Sequence, residues 1–372
     1  MKINLEKLSL DQKNNFNQAI KAYEEKNTIS SEHPPVLYVE LTQNCISKCD
    51  FCKPNWNNNP KFNMSEELFQ EILNNYIKYA SLVDLRGWGE SLILPNFKSR
   101  IEQVSELGAN IRMATTLGCG SKDTLNSLID NDVFLSISLD AIDKKLYESI
   151  RPGINFDTVI KNIKYVTKKL EKKGTLENNI RLSMTMHRDN LYEAEKILDL
   201  AKDVGITQLR IVPVQSYPTN PILLKNFKEL TINTLNNLSD NADKKKINLQ
   251  LGFSPFEEFI VKDKTYNPCC HPWMYTFINY TGDILPCEHM LGNSDINISI
   301  GNISKTKNWW NGHLMKEFRK KHTIKILEEL PGKCKKCYTL GRYADHEQDI
   351  YKKFEKWNFN SNDIKKITKK YI

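Results

Sequence analysis

Six short runs rich in β-branched and other apolar residues recur along the first 214 positions, and amphipathic helical stretches separate them. The runs occupy residues 36–42, 82–86, 110–116, 133–139, 180–186 and 207–214. Strands that alternate with helices predict a parallel sheet, whose functional groups lie at the C-terminal ends of the strands. Six units are two fewer than a closed eight-fold barrel needs, so the pattern allows either an open partial barrel or a doubly wound sheet.

Three cysteines follow the first of these runs in the segment LTQNCISKCDFC. Cys45, Cys49 and Cys52 have the spacing C-x3-C-x2-C. Three thiolates leave one position open on a four-coordinate metal or on a cubane cluster. Structural zinc normally takes four protein ligands, so zinc and incidental thiols are the weaker interpretations. The triplet suits a [4Fe–4S] cluster that keeps one iron free for a substrate or cofactor, at the catalytic edge of the sheet.

Two further motifs end later strand-like runs: GWGE at 87–90 ends the second, and SLD at 138–140 ends the fourth. Together with the triplet and the aromatic residue that precedes its last cysteine, they resemble the radical S-adenosylmethionine (SAM) superfamily over roughly residues 35 to 215. The resemblance implies a partial (β/α)6 TIM-like barrel. The residues that it assigns to binding SAM are Phe51, Gly87, Trp88, Gly89, Glu90, Ser138 and Asp140.

In the family, the segment that matches 87–90 holds the amino group of SAM, and glycines let the backbone approach closely. Trp88 stands where the family has a middle glycine, which matters little for a main-chain contact. The RPG segment at 151–153 also resembles the family, and Arg151 either helps to hold a carboxylate or forms a surface salt bridge. Cys119 is isolated in sequence and is read as a small buried hydrophobic residue, not as a ligand.

The chain changes character between Cys269 and Cys337, where cysteines, aromatic residues and Gly/Asn turns accumulate. The run C-x12-G-x4-C followed by a distant C-x2-C resembles the auxiliary-cluster module of SPASM/Twitch radical SAM enzymes. The resemblance implies a β-hairpin centred on 280–283 and an auxiliary [4Fe–4S] cluster. Its implied ligands are Cys269, Cys287, Cys334 and Cys337.

Two details of this module stay open at the sequence level. Cys270 is the neighbour of Cys269, and the family pattern C-x2-P-W favours Cys269 as the ligand. No cysteine follows Cys337, so the module resembles the shorter Twitch type with a single auxiliary cluster. A structural zinc site with four cysteine ligands is the alternative for this module.

These features divide the chain into five parts. We expect an N-terminal helical extension at 1–35, a radical SAM core at 36–218, a helical connection at 219–264, the auxiliary module at 265–345 and a C-terminal helix at 346–372. The start of the chain lacks an apolar signal core, and no apolar run reaches about 18 residues, so we expect a cytoplasmic protein without a membrane span. The net charge is +8, but the lysines are spread along the chain, which favours solvated helix faces over a nucleic-acid interface.

The resemblance implies that one electron, delivered by a partner such as flavodoxin or ferredoxin, cleaves SAM to a 5′-deoxyadenosyl radical that abstracts a substrate hydrogen. With an auxiliary cluster as electron acceptor, the leading hypothesis is oxidation of an alcohol to a ketone on a small sugar-like or cyclitol-like molecule. His187, His289, Glu90 and Arg210 are candidates for the proton acceptor, and none is assigned.

Three alternatives remain. In the first, the same machinery modifies a ribosomally made peptide by crosslinking or epimerisation. The segment ending at Pro35 is too short for a leader-peptide-binding domain, which disfavours this alternative unless a separate protein delivers the peptide. In the second, the radical drives a redox-neutral dehydration or epimerisation of a sugar. In the third, the chain is a zinc-bound, basic nucleic-acid-binding module. The lack of a recognised nucleic-acid fold signature argues against this alternative.

Overall fold

The structure, a computed structural model, describes residues 3–49, 51–52, 59–214, 222–252, 255–256, 268–290, 299–324 and 327–339. Its centre is one ten-stranded sheet with the order β10-β9-β8-β1-β2-β3-β4-β5-β6-β7. The strands are β1 (Val36–Val39), β2 (Leu82–Asp84), β3 (Asn110–Thr115), β4 (Phe134–Ser138), β5 (Ile180–Met186), β6 (Gln208–Pro213), β7 (Asn248–Leu251), β8 (Tyr275–Ile278), β9 (Asp283–Leu285) and β10 (Gly301–Asn302).

Helices fill the crossovers between the parallel strands and flank the sheet. They are α1 (Leu10–Glu24), α2 (Glu66–Asn75), α3 (Phe97–Glu106), α4 (Lys122–Asp130), α5 (Lys144–Ile150), α6 (Phe156–Lys173), α7 (Leu176–Asn179), α8 (Glu193–Asp203), α9 (Lys228–Lys245), α10 (His271–Met274), α11 (His313–Thr323) and α12 (Gly332–Thr339). Local sequence explains where several of them begin. Ser65, Ser121 and Asn155 each accept a hydrogen bond from a backbone N–H of the following turn, which satisfies a donor that the helix leaves unpaired.

Each of the six predicted runs contains a strand, and β1 to β7 pair in parallel in sequence order without a reversal. A doubly wound sheet requires the strand order to reverse, so this order confirms the partial barrel. The seventh strand, β7, lies in the segment that we expected to be only a helical connection. Its sequence, NLQL, alternates polar and apolar residues, and that short alternation is the signal that could have predicted it.

The two faces of the sheet differ in chemistry. Leu135, Ile137, Leu182 and Met184 are fully buried in one cluster with apolar residues of the surrounding helices, which covers the outer face. The intervening positions point the other way because strand side chains alternate between faces. Those positions carry Asp84, Ser136, Arg181 and other polar residues. The inner face of the barrel therefore carries a set of buried polar residues.

The predicted hairpin is present and continues the barrel sheet. β8 and β9 pair antiparallel around a turn at 279–282, in which Gly282 has a φ of 83°. β8 also pairs in parallel with β1, with Val36 opposite Tyr275 and Val39 opposite Ile278. The described part of the cysteine-rich module is thus attached to the barrel through a shared sheet edge.

The N-terminal helix α1 contacts both parts of the molecule. Gln12 Nε2 donates to the Leu107 carbonyl at 3.0 Å on the barrel side, and the Tyr23 hydroxyl donates to the Pro268 carbonyl at 2.8 Å on the module side. The predicted C-terminal helix at 346–372 lies outside the described residues. Within the described ranges, no helix is long and apolar enough to cross a membrane.

Candidate functional site

The cysteine triplet forms a tight loop directly after β1. Within it, the Cys52 amide donates to the Cys49 carbonyl at 3.0 Å, and the Ser47 amide donates to Cys45 Sγ at 3.4 Å. Ser47 Oγ lies 3.0 Å from Cys49 Sγ. Burial raises the pKa of the Cys45 thiol to about 11, so a bound cation is needed to hold it as a thiolate. The donor set therefore fits a cationic cluster.

The RPG segment packs on this loop. Arg151 is 8% exposed; its Nε donates to Asp140 Oδ2 at 2.7 Å, and its Nη1 donates to Cys49 Sγ at 3.7 Å. The Pro152 carbonyl accepts a hydrogen bond from the Lys48 amide. Gly153 has a φ of 96°, and a Cβ at this position would lie 2.3 Å from the Ile46 carbonyl oxygen. Arg151 is thus buried in an ion pair beside a predicted cluster ligand, and the surface salt bridge considered from the sequence is wrong.

The segment at 87–90 lies against the chain that leads into the cysteine loop. A Cβ on Gly89 would lie 2.4 Å from the Asn44 carbonyl oxygen, so only glycine allows this approach. The Trp88 amide donates to Glu40 Oε1, and the Glu90 amide donates to the Asn44 carbonyl, both at 2.9 Å. These main-chain contacts place 87–90 next to the triplet, although its predicted contact with SAM stays a prediction.

The side chain of Glu90 connects two strand ends, in addition to its predicted contact with SAM. It is 4% exposed, and its Oε2 accepts from the amide and the hydroxyl of Thr116 at 2.9 and 3.0 Å. Burial raises the pKa of the Glu90 carboxyl above its usual range. Glu90 therefore ties the end of β2 to the end of β3.

Asp140 and Ser138 lie at the end of β4, as predicted. Asp140 is fully buried and accepts from the Thr185 amide at 2.8 Å as well as from Arg151, so it links β4, β5 and the RPG segment. Ser138 is half-buried and lies opposite Ser183 on β5. Phe51 lies beside the triplet, with its ring centroid 6.2 Å from that of His187. Phe51, segment 87–90 and, through Arg151, Asp140 therefore lie around the triplet. The contacts of these residues and of Ser138 with SAM stay predictions.

The remaining residues that the sequence singled out are His187, Arg210, Cys119 and His289. His187 is 4% exposed and accepts from the Asp189 amide through Nδ1, and burial lowers the pKa of its imidazole. Arg210 lies on β6 opposite Ser183 of β5. Cys119 is half-buried against the core, as expected for a small apolar residue. The side chain of His289 lies outside the described residues.

The auxiliary cysteines gather in one place. Cys269, Cys287, Cys334 and Cys337 are each 5–8% exposed, and burial together with the charges of Cys270, Cys287 and Cys334 raises the pKa of Cys269 well above its usual range, so these thiols are neighbours. Cys334 and Cys337 lie one turn apart on α12, so their thiols share a helix face. Cys270, in contrast, packs into a second cluster with Trp273 and residues of α1. The packing of Cys270 against residues of α1 agrees with Cys269 as the ligand, which stays a prediction.

Two residues beside this cysteine cluster were missed from the sequence. Glu288 follows Cys287 directly, and its Oε2 lies 3.8 Å from Nδ1 of the buried His271. Its carboxylate, the Cys287 thiol and a ring nitrogen of His271 lie within 4.8 Å of one another. Burial raises the pKa of Tyr38 and Tyr275, and the charge of Glu288 is a smaller influence in the same direction. No local sequence motif marks Glu288, because its position depends on the pairing of β8 with β1.

Comparison with protein families gives two matches. Residues 39–201 match the radical SAM superfamily, and residues 269–338 match the iron–sulfur cluster-binding domain called SPASM. Together they span more than half of the chain. A protein of Pyrococcus furiosus, described as the tungsten-containing aldehyde ferredoxin oxidoreductase cofactor-modifying protein, is 21% identical over 264 residues, covering 68% of this chain and 71% of that protein.

Solved structures with the same fold carry SAM or peptide. The anSMEcpe structure with bound AdoMet has a TM-score of 0.61 at 15% identity, covering 91% of this chain and 93% of that one. SuiB of Streptococcus suis, bound to the precursor peptide SuiA, has a TM-score of 0.58 at 18% identity, covering 82% and 70%. These domains imply a SAM-binding [4Fe–4S] cluster, an auxiliary cluster and SAM itself. The chain is a member of the radical SAM superfamily with an auxiliary cluster-binding domain of the SPASM/Twitch type.

Proposed function

We propose that this radical SAM enzyme oxidises its substrate by two electrons, converting an alcohol into a ketone on a small sugar-like or cyclitol-like molecule. The observation that carries the proposal is the buried set of four auxiliary cysteines on a module whose sheet continues the barrel through β8 and β1. When bound, the SAM-binding cluster and SAM supply the hydrogen-abstracting radical, and the auxiliary cluster supplies an electron acceptor. We assign the first group to Cys45, Cys49 and Cys52, and the second to Cys269, Cys287, Cys334 and Cys337.

The chain's own residues then have three tasks. The polar residues at the ends of β2 and β4 orient SAM, with Ser138 and segment 87–90 as its proposed contacts. The outer shell of apolar side chains keeps bulk water from the barrel interior, which protects a reactive intermediate. A base must accept the proton that a hydroxyl loses on becoming a carbonyl.

Glu288 is the residue that we assign to this proton transfer. Its carboxylate lies next to His271 and is close enough to Tyr38 and Tyr275 on β1 and β8 to influence their hydroxyls. It also follows Cys287 directly, so the electron and the proton would leave the substrate on the same side of the barrel. Glu90 is less suited, because Thr116 already holds one of its carboxylate oxygens.

Peptide modification is the second candidate function. It is favoured by the SuiB structure, which has the same fold and holds a precursor peptide. An oxidation that uses the same two cysteine sets would act on a side chain of such a peptide.

The experiment that tests the proposal measures iron and sulfide per chain after anaerobic reconstitution. About eight irons in the wild type and about four in a Cys45/Cys49/Cys52→Ala variant would agree with two [4Fe–4S] clusters. Four irons falling to near none would remove the electron acceptor and with it the case for oxidation. Once a substrate alcohol is found, Glu288→Gln should keep the iron content and lower the rate of ketone formation by about 10² or more. An unchanged rate would show that Glu288 is not the base.

A further inference from the structure

Four arginines line the interior of the barrel within the described residues. We call Arg86, Arg112, Arg181 and Arg210 the inner arginine cluster. Register places them on one face: Asp84 lies opposite Arg112, Ser136 lies opposite Arg181, and Ser183 lies opposite Arg210. Arg86 follows β2 directly and shares Asp84 with Arg112.

Two members of this cluster have anionic partners. Arg86 Nε lies 2.9 Å from Asp84 Oδ2, and Arg112 Nε pairs with the same oxygen. Both guanidinium groups also donate to the hydroxyl of Tyr38. Asp84 is fully buried, so a single carboxylate holds two cations in the barrel interior.

Arg181 differs from these two. It is 7% exposed, and its Nε donates to Ser136 Oγ at 2.9 Å. Its guanidinium carbon lies 5.4 Å from the centroid of the Phe134 ring, a cation–π contact that carries no counter-charge. Within the described residues, the two terminal nitrogens of Arg181 have no hydrogen-bond or ion-pair partner.

None of the described acidic groups on the inner face pairs with Arg181. Asp84 Oδ2 is shared by Arg86 and Arg112, and its buried Oδ1 has no hydrogen-bond partner among the described residues. Glu40 accepts from the Trp88 amide and the Gln43 side chain, and Glu288 lies beside His271. Burial and the charges of Arg210, Arg112 and Arg86 lower the pKa of Arg181 well below its usual range, with Asp84 acting in the opposite sense. No described carboxylate forms an ion pair with Arg181, and the nearby charge of Asp84 is outweighed by three arginines, so this buried guanidinium is costly unless an anion binds there.

We propose that Arg181 binds an anionic group of the substrate, a carboxylate or a phosphate, inside the barrel. A guanidinium with two free terminal nitrogens matches two oxygens of such a group in a bidentate pair. Ser136, which positions Arg181, lies two residues before Ser138 on β4, about 7 Å deeper than the proposed SAM contact. An anion at Arg181 would thus place the rest of the substrate between it and SAM. This inference names the substrate class of the proposed active site and rests on that function.

Equilibrium dialysis of the anaerobically reconstituted full chain against ³²P-labelled inorganic phosphate, at constant ionic strength, tests the proposal without turnover. The wild type should bind phosphate saturably at about one site per chain, and acetate in excess should displace it. Arg181→Gln should weaken this binding at least about tenfold. Arg181→Lys keeps the positive charge but loses the two parallel N–H donors of the guanidinium, so it should retain part of the binding. Arg188→Gln, which removes an exposed arginine, is the matched control and should bind as the wild type does.

Two results would overturn the assignment: no saturable phosphate binding in the wild type, or equal binding in Arg181→Gln. SAM affinity, measured on the same proteins, distinguishes a carboxylate of the substrate from the methionine carboxylate of SAM. Weaker SAM binding in Arg181→Gln would show that the arginine serves the methionine carboxylate of SAM and not the substrate. Thermal unfolding completes the test, because removal of an unneutralised buried cation should leave the unfolding midpoint equal or higher, whereas a purely structural arginine would lower it. Phosphate binding without any alcohol oxidation would refute the proposed function and leave the anion site standing.

Discussion

At the residue scale, the cysteine pattern could be predicted from the sequence, but the environment of the cysteines could not. Spacing alone predicts Cys45, Cys49 and Cys52 as a ligand set, because three thiolates in one loop have few other uses. Arg151 is a different case. Its sequence neighbours left open a carboxylate ligand or a surface ion pair, and only the fold shows its contacts with Asp140 and Cys49.

The ion pair of Arg151 and Asp140 gives the residue-scale prediction. Asp140 is fully buried, so Arg151→Met would leave its carboxylate with the Thr185 amide but without a cation. We expect a loss of about 3–5 kcal/mol in the free energy of unfolding, since an uncompensated buried charge is costly. Urea unfolding of the reconstituted protein measures it.

The matched control for this prediction is Arg188→Met. Arg188 pairs with Asp189 where both side chains are about two-fifths exposed, so its loss should cost no more than about 0.5 kcal/mol. Equal losses in the two variants would contradict the argument. The double variant Arg151→Met/Asp140→Asn should recover part of the stability, because it also removes the stranded charge.

At the scale of elements, periodicity predicted β1 to β6 because each is a compact apolar run between clear helical patterns. It missed β7, whose alternation extends over only four residues and is weaker than the helical pattern before it, and whose pairing with β6 comes from tertiary contacts. The loops follow yet another rule. Segments 87–90 and 151–153 are shaped by how closely they approach the cysteine loop, which no periodic pattern encodes.

Gly153 provides the element-scale prediction. An alanine there combines a φ of 96° with a Cβ that would lie 2.3 Å from the Ile46 carbonyl oxygen, so the cysteine loop would have to move. We expect Gly153→Ala to lower the iron content from about eight toward about four per chain, through loss at the triplet. Iron analysis after reconstitution measures it.

Gly174→Ala is the control that distinguishes backbone strain at a positive φ from displacement of the cysteine loop by an added Cβ. Gly174 also has a positive φ, of 77°, but an added Cβ there would meet nothing within 4 Å. It should lose some stability and keep its iron. If both variants lose iron equally, backbone strain and not the approach to the loop is responsible.

At the scale of the whole molecule, the sequence described the cysteine-rich tail as a separate module, and the structure joins it to the barrel. β8 occupies the free edge of β1, and α1 bonds to both parts. No local pattern could predict the pairing of β1 with β8, because the paired residues are more than 230 positions apart in the sequence. Composition could distinguish the module but could not show where it attaches.

A chain that ends before Pro268 gives the corresponding prediction. It would expose β1 as an unpaired edge and remove the carbonyl partner of Tyr23. We expect most of this truncated protein to be insoluble or aggregated, as measured by the soluble fraction and by light scattering. A full-length Cys269/Cys287/Cys334/Cys337→Ser variant keeps β8 and should remain soluble. A soluble, monomeric truncation would show that the barrel does not depend on β8.

The pairing of β1 with β8 also has a consequence for how the protein is made. The ribosome releases β1 early, and more than 230 further residues must be translated before its partner exists. At ordinary elongation rates this interval lasts on the order of ten to fifty seconds. During that time the first three cysteines are already outside the ribosome beside an unfinished sheet. A nascent chain of this kind needs protection from aggregation and oxygen until its last third has been synthesised.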